Sequence, residues 1–419
     1  MSTLAELENT FAEREPQVLA FVPEENRFER LRREAADLEA RYPDPGNRPP
    51  LYGMPVGIKD IFHVQGFVTE GGSHLPPEVL QGEEGPAVTA LRAAGALILG
   101  KTVSTEFAYF APGPTRNPRN PEHTPGGSSS GSAAAVGAGL CPLTLGTQTI
   151  GSIIRPAAYC GVVGWKPSYD RISKQGVIPL APSFDHVGLF APDLATVQRA
   201  ARVLCRNWRP SAPRSKAAGK PRLGLPEGPY LESAWPEGQS HFQRVAERLA
   251  GAGFEVIPIP IFADFEEIAA RHRRIVAAEA ARAHQAAGWY PRFADLYERR
   301  TKELFERGLS ISDADLARDL EDAAMLRPEI ESVMDREGID LWISPPAQGP
   351  APRGLGSTGD PIMNIPWTQA GLPALCLPAG ENGERLPMGL QVVGRFERDE
   401  ELLALAGGGL EAEVRRSRR

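Results

Sequence analysis

Helix and strand signatures alternate along this chain, and the alternation predicts an α/β layered fold. Two further observations refine it. The 419 residues are 42% hydrophobic and 24% charged, a balance that buries a sizeable core without covalent staples. Strand-rich text at both ends flanks a charged, helical stretch, which reads as a cover over one shared sheet.

The elements follow in chain order. Thr3 and Glu6 form a capping-box pair at the start of a first helix, and Phe28, Leu31, Ala35 and Leu38 share one face of a second. Tyr42 to Pro50, with four prolines and Gly46, reads as a linker. Met54 to Ile61 is a strand with charge at its end. Pro86 to Ala94 is a helix begun by proline and capped by Gly95, and Ala96 to Leu99 is a buried strand. Further on, Arg222 to Leu225 is a strand, Phe242, Val245 and Leu249 mark a helix closed by Gly253, and Phe254 to Ile257 is another strand. About 263–336 is helical, with Ser312 and Asp315 as a cap pair ahead of Leu316, Leu320 and Ala324. Strands return in Leu341 to Ser344, Ala374 to Leu377 and Gly389 to Val393.

Composition and charge set aside several classes. The net charge is −7, and the sole basic run is the short tail Arg415, Arg416, Arg418, Arg419, so no nucleic-acid partner is expected. Cys141, Cys160, Cys205 and Cys376 lie far apart, which suggests neither a disulfide framework nor a zinc site and fits a reducing compartment. Glu6, Glu8, Glu13, Arg14 and Glu15 do not make the basic-then-apolar layout of a signal peptide, so a cytoplasmic location is expected. From His123 to Ile154 there is no charged residue, yet glycines, serines and Pro142 break the run. It reads as buried or site-lining and not as a membrane span.

Two short motifs fail on context. Gly95 to Thr102 matches the phosphate-loop pattern, but Ala96 to Leu99 reads as a strand with a helix before it, the reverse of the order that loop needs. Gly127-Ser128-Ser129-Ser130-Gly131 matches a nucleophile elbow centred on Ser129. That elbow follows a hydrophobic strand, and Asn117 to Pro125 carries three prolines.

Glycine and proline are in excess, 43 and 40 residues against an average of about 12% for the two together. Ten of the glycines fall between Gly113 and Gly164, a stretch also rich in Ser and Thr. Small residues let backbone approach a ligand, and N–H groups at a helix start stabilise negative charge. Within this stretch run Pro125-Gly-Gly-Ser-Ser-Ser-Gly-Ser-Ala-Ala-Ala, then Leu145-Gly-Thr-Gln-Thr-Ile-Gly-Ser-Ile-Ile-Arg-Pro-Ala, then Cys160-Gly-Val-Val-Gly-Trp-Lys-Pro-Ser168. Together they resemble the amidase signature family. Gly53-Met-Pro-Val-Gly-Ile-Lys59-Asp60, Gly100 to Phe107, Ser183-Phe-Asp185-His-Val-Gly188, Gly371 to Ala374 and Leu386 to Gln391 are similar to the family as well. The resemblance runs from about 5 to 405 and fades in the helical region. Gly-Thr-Gln-Thr-x-Gly-Ser-x-Ile-Arg-Pro-Ala is most similar to short malonamidase-type members.

The resemblance implies a single large mixed β-sheet covered by helices on both faces, one domain over 1–419 with about 263–336 as an internal cover. It implies Ser152 as nucleophile, Ser128 as a serine on a cis peptide bond that relays a proton, and Lys59 as the base. Thr149, Ile150, Gly151 and Ser152 would supply oxyanion N–H groups, and Arg155 and Ser129 would bind substrate. The residue types suit the chemistry: a serine hydroxyl needs an adjacent base, and lysine serves only when burial lowers its pKa from about 10.4. The implied activity is hydrolysis of a small amide, carboxylate-bearing in the malonamidase-like pattern, through an acyl-enzyme with neither metal nor cofactor.

Each residue also has a plainer role. Lys59 alone reads as a surface lysine paired with Asp60, and Ser128 and Ser152 as helix caps. Arg155 stands one place later than is usual in the family, and it is either a tie between loop carbonyls or a fork for a substrate carboxylate. Ile150 replaces a usual glycine and would be strained at positive φ, and Gln148 replaces a common aspartate. Asp185 orients the site or makes a turn. Glu279 and His284, in the helical cover, either face substrate or are ordinary helix-surface residues. Two rival functions remain. One is the amidase subunit of a tRNA-dependent amidotransferase, a branch usually longer and with Gln where Pro156 stands. The other is a binding homologue that has lost turnover. Oligomeric state is not legible, a homodimer being one admissible arrangement.

Overall fold

Ten strands form one mixed sheet in the computed structural model, which describes residues 4–209 and 219–416. They are β1 Pro55–Lys59, β2 Leu97–Thr102, β3 Leu143–Gln148, β4 Val163–Lys166, β5 His186–Ala191, β6 Leu223–Glu227, β7 Val256–Pro260, β8 Leu341–Ser344, β9 Ala374–Glu381 and β10 Pro387–Val393. Their order is β2-β1-β3-β5-β4-β9-β10-β8-β6-β7. Pairing is parallel at both ends, where β1 joins β2 and β3 and β6 joins β7 and β8. It is antiparallel through the middle. Thr3, half of the expected capping box, and Arg418 and Arg419 of the basic tail lie outside the described residues.

Sequence pattern accounts for the outer strands. β1, β2 and β8 are short apolar runs buried along nearly all their length, as expected of strands covered on both faces. The helix Pro86–Ala93 begins on Pro86, and Gly95 leaves it at φ 83° before β2. Leu97 to Thr102 of the phosphate-loop pattern are therefore strand and not a phosphate-binding turn. The linker holds a 3-10 turn, Pro45–Asn47, whose preceding Asp44 accepts from the Gly46 N–H. The central strands β3, β4 and β5 carry Gly, Thr, Lys and His and show no alternation for a sequence reading to seize on.

Two features of this framework position the site. β1 and β3 run parallel with Ile58 opposite Leu145, so Lys59 ends β1 beside the last residues of β3. The carboxyl ends of neighbouring parallel strands are where α/β sheets commonly bind ligands. Second, the helix Ser130–Gly137 is built from Ser, Gly, Ala and Val, with Ala133 to Ala135 fully buried. A helix without a polar face belongs inside the protein. A Cβ at Gly131 would lie 2.1 Å from the Ala20 carbonyl oxygen, so only glycine lets this helix seat against that backbone.

Helices Phe265–Ala286, Arg299–Leu309 and Asp313–Glu337 fill the stretch between β7 and β8. Ser312 caps the last of them, its hydroxyl accepting from the Asp315 N–H at 3.1 Å. Gly308 packs on the Ala277 carbonyl, where a Cβ would come within 2.0 Å, so the first two helices are in backbone contact. No helix among the described residues is long and apolar enough to cross a membrane. Cys141, Cys160, Cys205 and Cys376 are buried and unpaired.

Candidate active site

Lys59 is wholly buried, and its Nζ donates to Ser128 Oγ at 2.7 Å and to Thr147 Oγ1 at 2.8 Å. Asp60, the expected partner of a surface lysine, instead forms a buried ion pair with Lys101 at 2.7 Å. It also accepts from the Glu70 and Gly71 N–H groups. Lys59 thus sits in the interior with hydroxyl partners and, among the described residues, no salt bridge. Burial pushes its pKa well below the ordinary lysine value, and the Asp185 carboxylate pulls the other way.

Ser128 follows a cis peptide bond from Gly127, and its carbonyl accepts from the Thr105 N–H at 3.1 Å. Ser152 is 8% exposed and lies two residues before the helix Ile154–Cys160. A Cβ at Gly126 would lie 2.8 Å from Pro156 Cα, so the segments bearing the two serines pack closely together. Among the described residues, the N–H groups of Thr149, Ile150, Gly151 and Ser152 donate to no protein acceptor. Ile150 is not among the residues at positive φ, which removes the strain that a β-branched residue there would suffer.

The loop 149–152 is held from three sides. Gln148 Oε1 accepts from the N–H groups of Ile153 at 2.8 Å and Ile154 at 3.0 Å, and its Nε2 donates to Thr368 Oγ1 at 2.9 Å. A neutral amide caps the helix as an aspartate would and adds a donor. Thr368 Oγ1 in turn donates to the Ile150 carbonyl at 2.7 Å, and His272 Nε2 lies 3.0 Å from the Thr149 carbonyl. His272 stacks on Phe184, and burial pushes its pKa down to about 3, so it is neutral and donates from Nε2. Asp185 accepts from Thr149 Oγ1 and from the Leu180 and Ala181 N–H groups, which joins the orienting and turn roles. Burial raises its pKa to about 6.

Two residues expected to bind substrate make contacts within the protein. Ser129 is fully buried, its hydroxyl donating to the Thr147 carbonyl and accepting from the Thr147 N–H, so its proton is committed to the backbone of β3. Arg155 is 1% exposed and donates to the carbonyls of Gly359 at 2.8 Å and Gly127 at 2.6 Å and to Thr358 Oγ1 at 3.3 Å. These contacts tie three loop positions together. Arg155→Ala is expected to lower kcat about tenfold or more on neutral and carboxylated amides alike, because the Gly127 carbonyl beside Ser128 loses its clamp. A loss confined to KM for carboxylated amides in a steady-state ammonia assay would return Arg155 to substrate binding.

Glu279 and His284 are not surface residues either. Glu279 accepts from the Ser183 N–H and hydroxyl. His284 is 1% exposed, bonded to the Tyr297 hydroxyl, with its ring against Phe107, Trp289 and Phe305. Thr147, Thr368 and His272 were missed, since a lone Thr or His carries no signal apart from its partners. No group of three His, Cys, Asp or Glu among the described residues is arranged to hold a metal ion.

A cleft of about 580 Å³ reaches this loop at Ile150. Val276, Ala277, Leu304, Ile311 and Ile365 make its apolar wall, and Gly359 and Asp360 border it. A cleft of that size accepts a ligand of drug-like dimensions.

The family model described as Amidase matches residues 15–403. The chain belongs to the amidase signature family. Its ten-stranded mixed sheet is that family's fold, and it is a hydrolase of amide C–N bonds. This amidase is 32% identical to a glutamyl-tRNA(Gln) amidotransferase subunit from Synechococcus sp. (strain WH7803), over 94% of this chain and 89% of that one. It is 33% identical to the subunit of the same name from Geobacter metallireducens, over 89% and 86%. A crystal structure of an amidase aligns with TM-score 0.86 at 32% identity, covering 98% of this chain and 95% of the other. The peptide amidase of Stenotrophomonas maltophilia aligns with TM-score 0.80 at 25% identity, covering 99% and 93%. The expectation of no nucleic-acid partner is corrected by the amidotransferase relatives, whose own name carries a tRNA and marks each as one subunit of an assembly. Net charge is a property of the whole chain and does not report on what an assembly would bind.

Proposed function

We propose that this amidase uses Ser152, Ser128 and Lys59 to cleave a small carboxylic amide through an acyl-enzyme. The observation that carries the reading is Lys59, wholly buried, with no carboxylate in ion-pair contact among the described residues and bonded at 2.7 Å to the hydroxyl of Ser128. A neutral lysine amine there accepts the Ser128 proton as Ser128 takes the proton of Ser152. Ser152 Oγ then bonds to the amide carbon, and the resulting oxyanion takes N–H groups of the 149–152 loop, worth about 3 kcal/mol per donor in comparable hydrolases. Collapse breaks the C–N bond as the relayed proton returns to the departing amine or ammonia. Water repeats the cycle on the acyl ester and releases a carboxylate. Ammonia release from a panel of neutral and carboxylated amides tests the reading, with Ser152→Ala as the control that must be inactive.

The same reading takes the chain as one catalytic unit, with 263–336 as its cover, working in a reducing, cytoplasmic setting. The malonamidase-like pattern around Ser152 favours a stand-alone enzyme. A second reading has the relatives behind it: one member of a larger assembly, releasing ammonia from an amide for use by partner subunits. Partner subunits that co-purify with the untagged protein at fixed stoichiometry would select it.

A further inference from the structure

Around the cleft's mouth stand four arginines, Arg273, Arg274, Arg300 and Arg307, against two acids, Glu303 and Asp360, in a chain whose net charge is −7. Three of these six groups are already engaged. Arg274 is bound by Glu267 and Asp319, Glu303 pairs with Arg299 at 3.5 Å, and the Asp360 carboxylate accepts from the Ile362 N–H. Among the described residues, Arg273, Arg300 and Arg307 have no carboxylate within ion-pair distance. Arg300 reaches only the Phe110 carbonyl at 3.4 Å, and Arg307 only the Tyr109 hydroxyl at 3.3 Å.

The three cations line one cleft together with Tyr109, whose hydroxyl accepts from Arg307. They also stand on a firm base. Arg273 and Arg307 lie on the two helices in backbone contact through Gly308 and Ala277, and Tyr109 is tied to the site because Thr105 donates both to its carbonyl and to that of Ser128. Like charges held together this way repel one another unless an anion joins them, and guanidinium forks match the geometry of carboxylate and phosphate oxygens. The cleft is also larger than a minimal amide needs, with the volume of roughly twenty waters between the rim and Ile150.

We propose that the amide cleaved at this site carries an anionic group, carboxylate or phosphate, at the end of its acyl chain remote from the scissile bond, held by Arg273, Arg300 and Arg307. This rests on the amidase reading above. It replaces Arg155 with a different set of arginines as the carboxylate-reading element. The intervening chain is apolar, since Val276, Leu304 and Ile365 line its path.

The test uses the full chain and three matched series of primary amides of increasing length, ending in a carboxylate, a phosphate or the neutral methyl ester. kcat/KM by ammonia release is measured for wild type and for Arg300→Gln/Arg307→Gln, and binding to Ser152→Ala is measured by calorimetry. One anionic series should exceed its neutral counterpart about tenfold or more at one chain length. That preference should fall toward one in the double variant and shrink as salt is raised from about 20 to about 500 mM. The carboxylate and phosphate series tell the two anion sources apart. Equal treatment of anionic and neutral amides by wild type, or a preference that survives the double substitution, overturns the proposal. So does loss of tRNA retention in the double variant with its amide preference intact, which would make the rim a polyanion site. If wild type cleaves no amide while Ser152→Ala still binds the anionic series selectively, the amidase reading fails and the rim assignment stands. Cleavage of neutral amides with no anion advantage does the opposite.

Discussion

Ser152→Ala lowers amide turnover by about 10,000-fold or more, the loss seen when a serine hydrolase is stripped of its nucleophile and keeps only binding and oxyanion stabilisation. The fold should be indifferent, because the change removes one hydroxyl from Ser152, in a loop held by Gln148, Thr368 and His272. Single-turnover measurement of ammonia release checks the first part, and an unchanged urea midpoint checks the second. Residual activity above about one part in a hundred on a good substrate would move the nucleophile elsewhere.

Lys59→Met is expected to cut kcat about 1,000-fold or more, since the relay through Ser128 loses its terminal acceptor. The wild-type profile should rise with pH through the folded-state pKa of Lys59, because only the neutral amine accepts a proton. That limb lies far below the ordinary lysine range, as burial dictates. Stability moves in the same sense, over the window above that pKa. Between the folded-state pKa and about 10.4, the unfolded chain binds a proton on Lys59 that the folded chain does not. Wild-type stability therefore falls as pH drops through that window and is free of the penalty only above it. The methionine variant has no such linkage. The Tm of Lys59→Met minus that of wild type should grow as pH is lowered from about 10 to about 7, and a difference constant with pH would mean that Lys59 is charged in the folded protein.

How far the sequence revealed the molecule depends on whether a residue's role is local. β1 and β8 were legible because short apolar runs bounded by turn residues have few other uses. β3, β4 and β5 were not, because small and polar residues are tolerated there only through close neighbours: a Cβ at Gly146 would meet Ser129 Oγ at 2.8 Å, and one at Gly188 the Trp165 carbonyl at 2.3 Å. Lys59 and Ser128 lie 69 residues apart, and only the family resemblance joined them before the sheet register did. Arg155 went the other way. Its partners Thr358 and Gly359 are some 200 residues downstream, so nothing local distinguished a fork for substrate from a tie between loops. His284 reads as a surface helix residue until Phe107, Trp289 and Phe305 from three separate segments close around it.

Gln148 shows why a departure from a family pattern need not mean lost function. The amide oxygen holds both N–H groups that follow the loop, and the amide nitrogen secures Thr368, which holds the Ile150 carbonyl. Gln148 thereby holds the 149–152 loop without adding a second buried carboxylate to Asp185, whose desolvation would have to be offset.

The central claim is that a neutral, buried Lys59 activates Ser152 through Ser128. A fluorophosphonate reporter tests it without knowledge of the substrate, since labelling demands an activated nucleophile and not a particular acyl group. Peptide mass spectrometry of the labelled protein should place the adduct on Ser152, with labelling abolished in Ser152→Ala and slowed about 1,000-fold or more in Lys59→Met. An adduct on any other serine, or labelling of Lys59→Met at the wild-type rate, would contradict it.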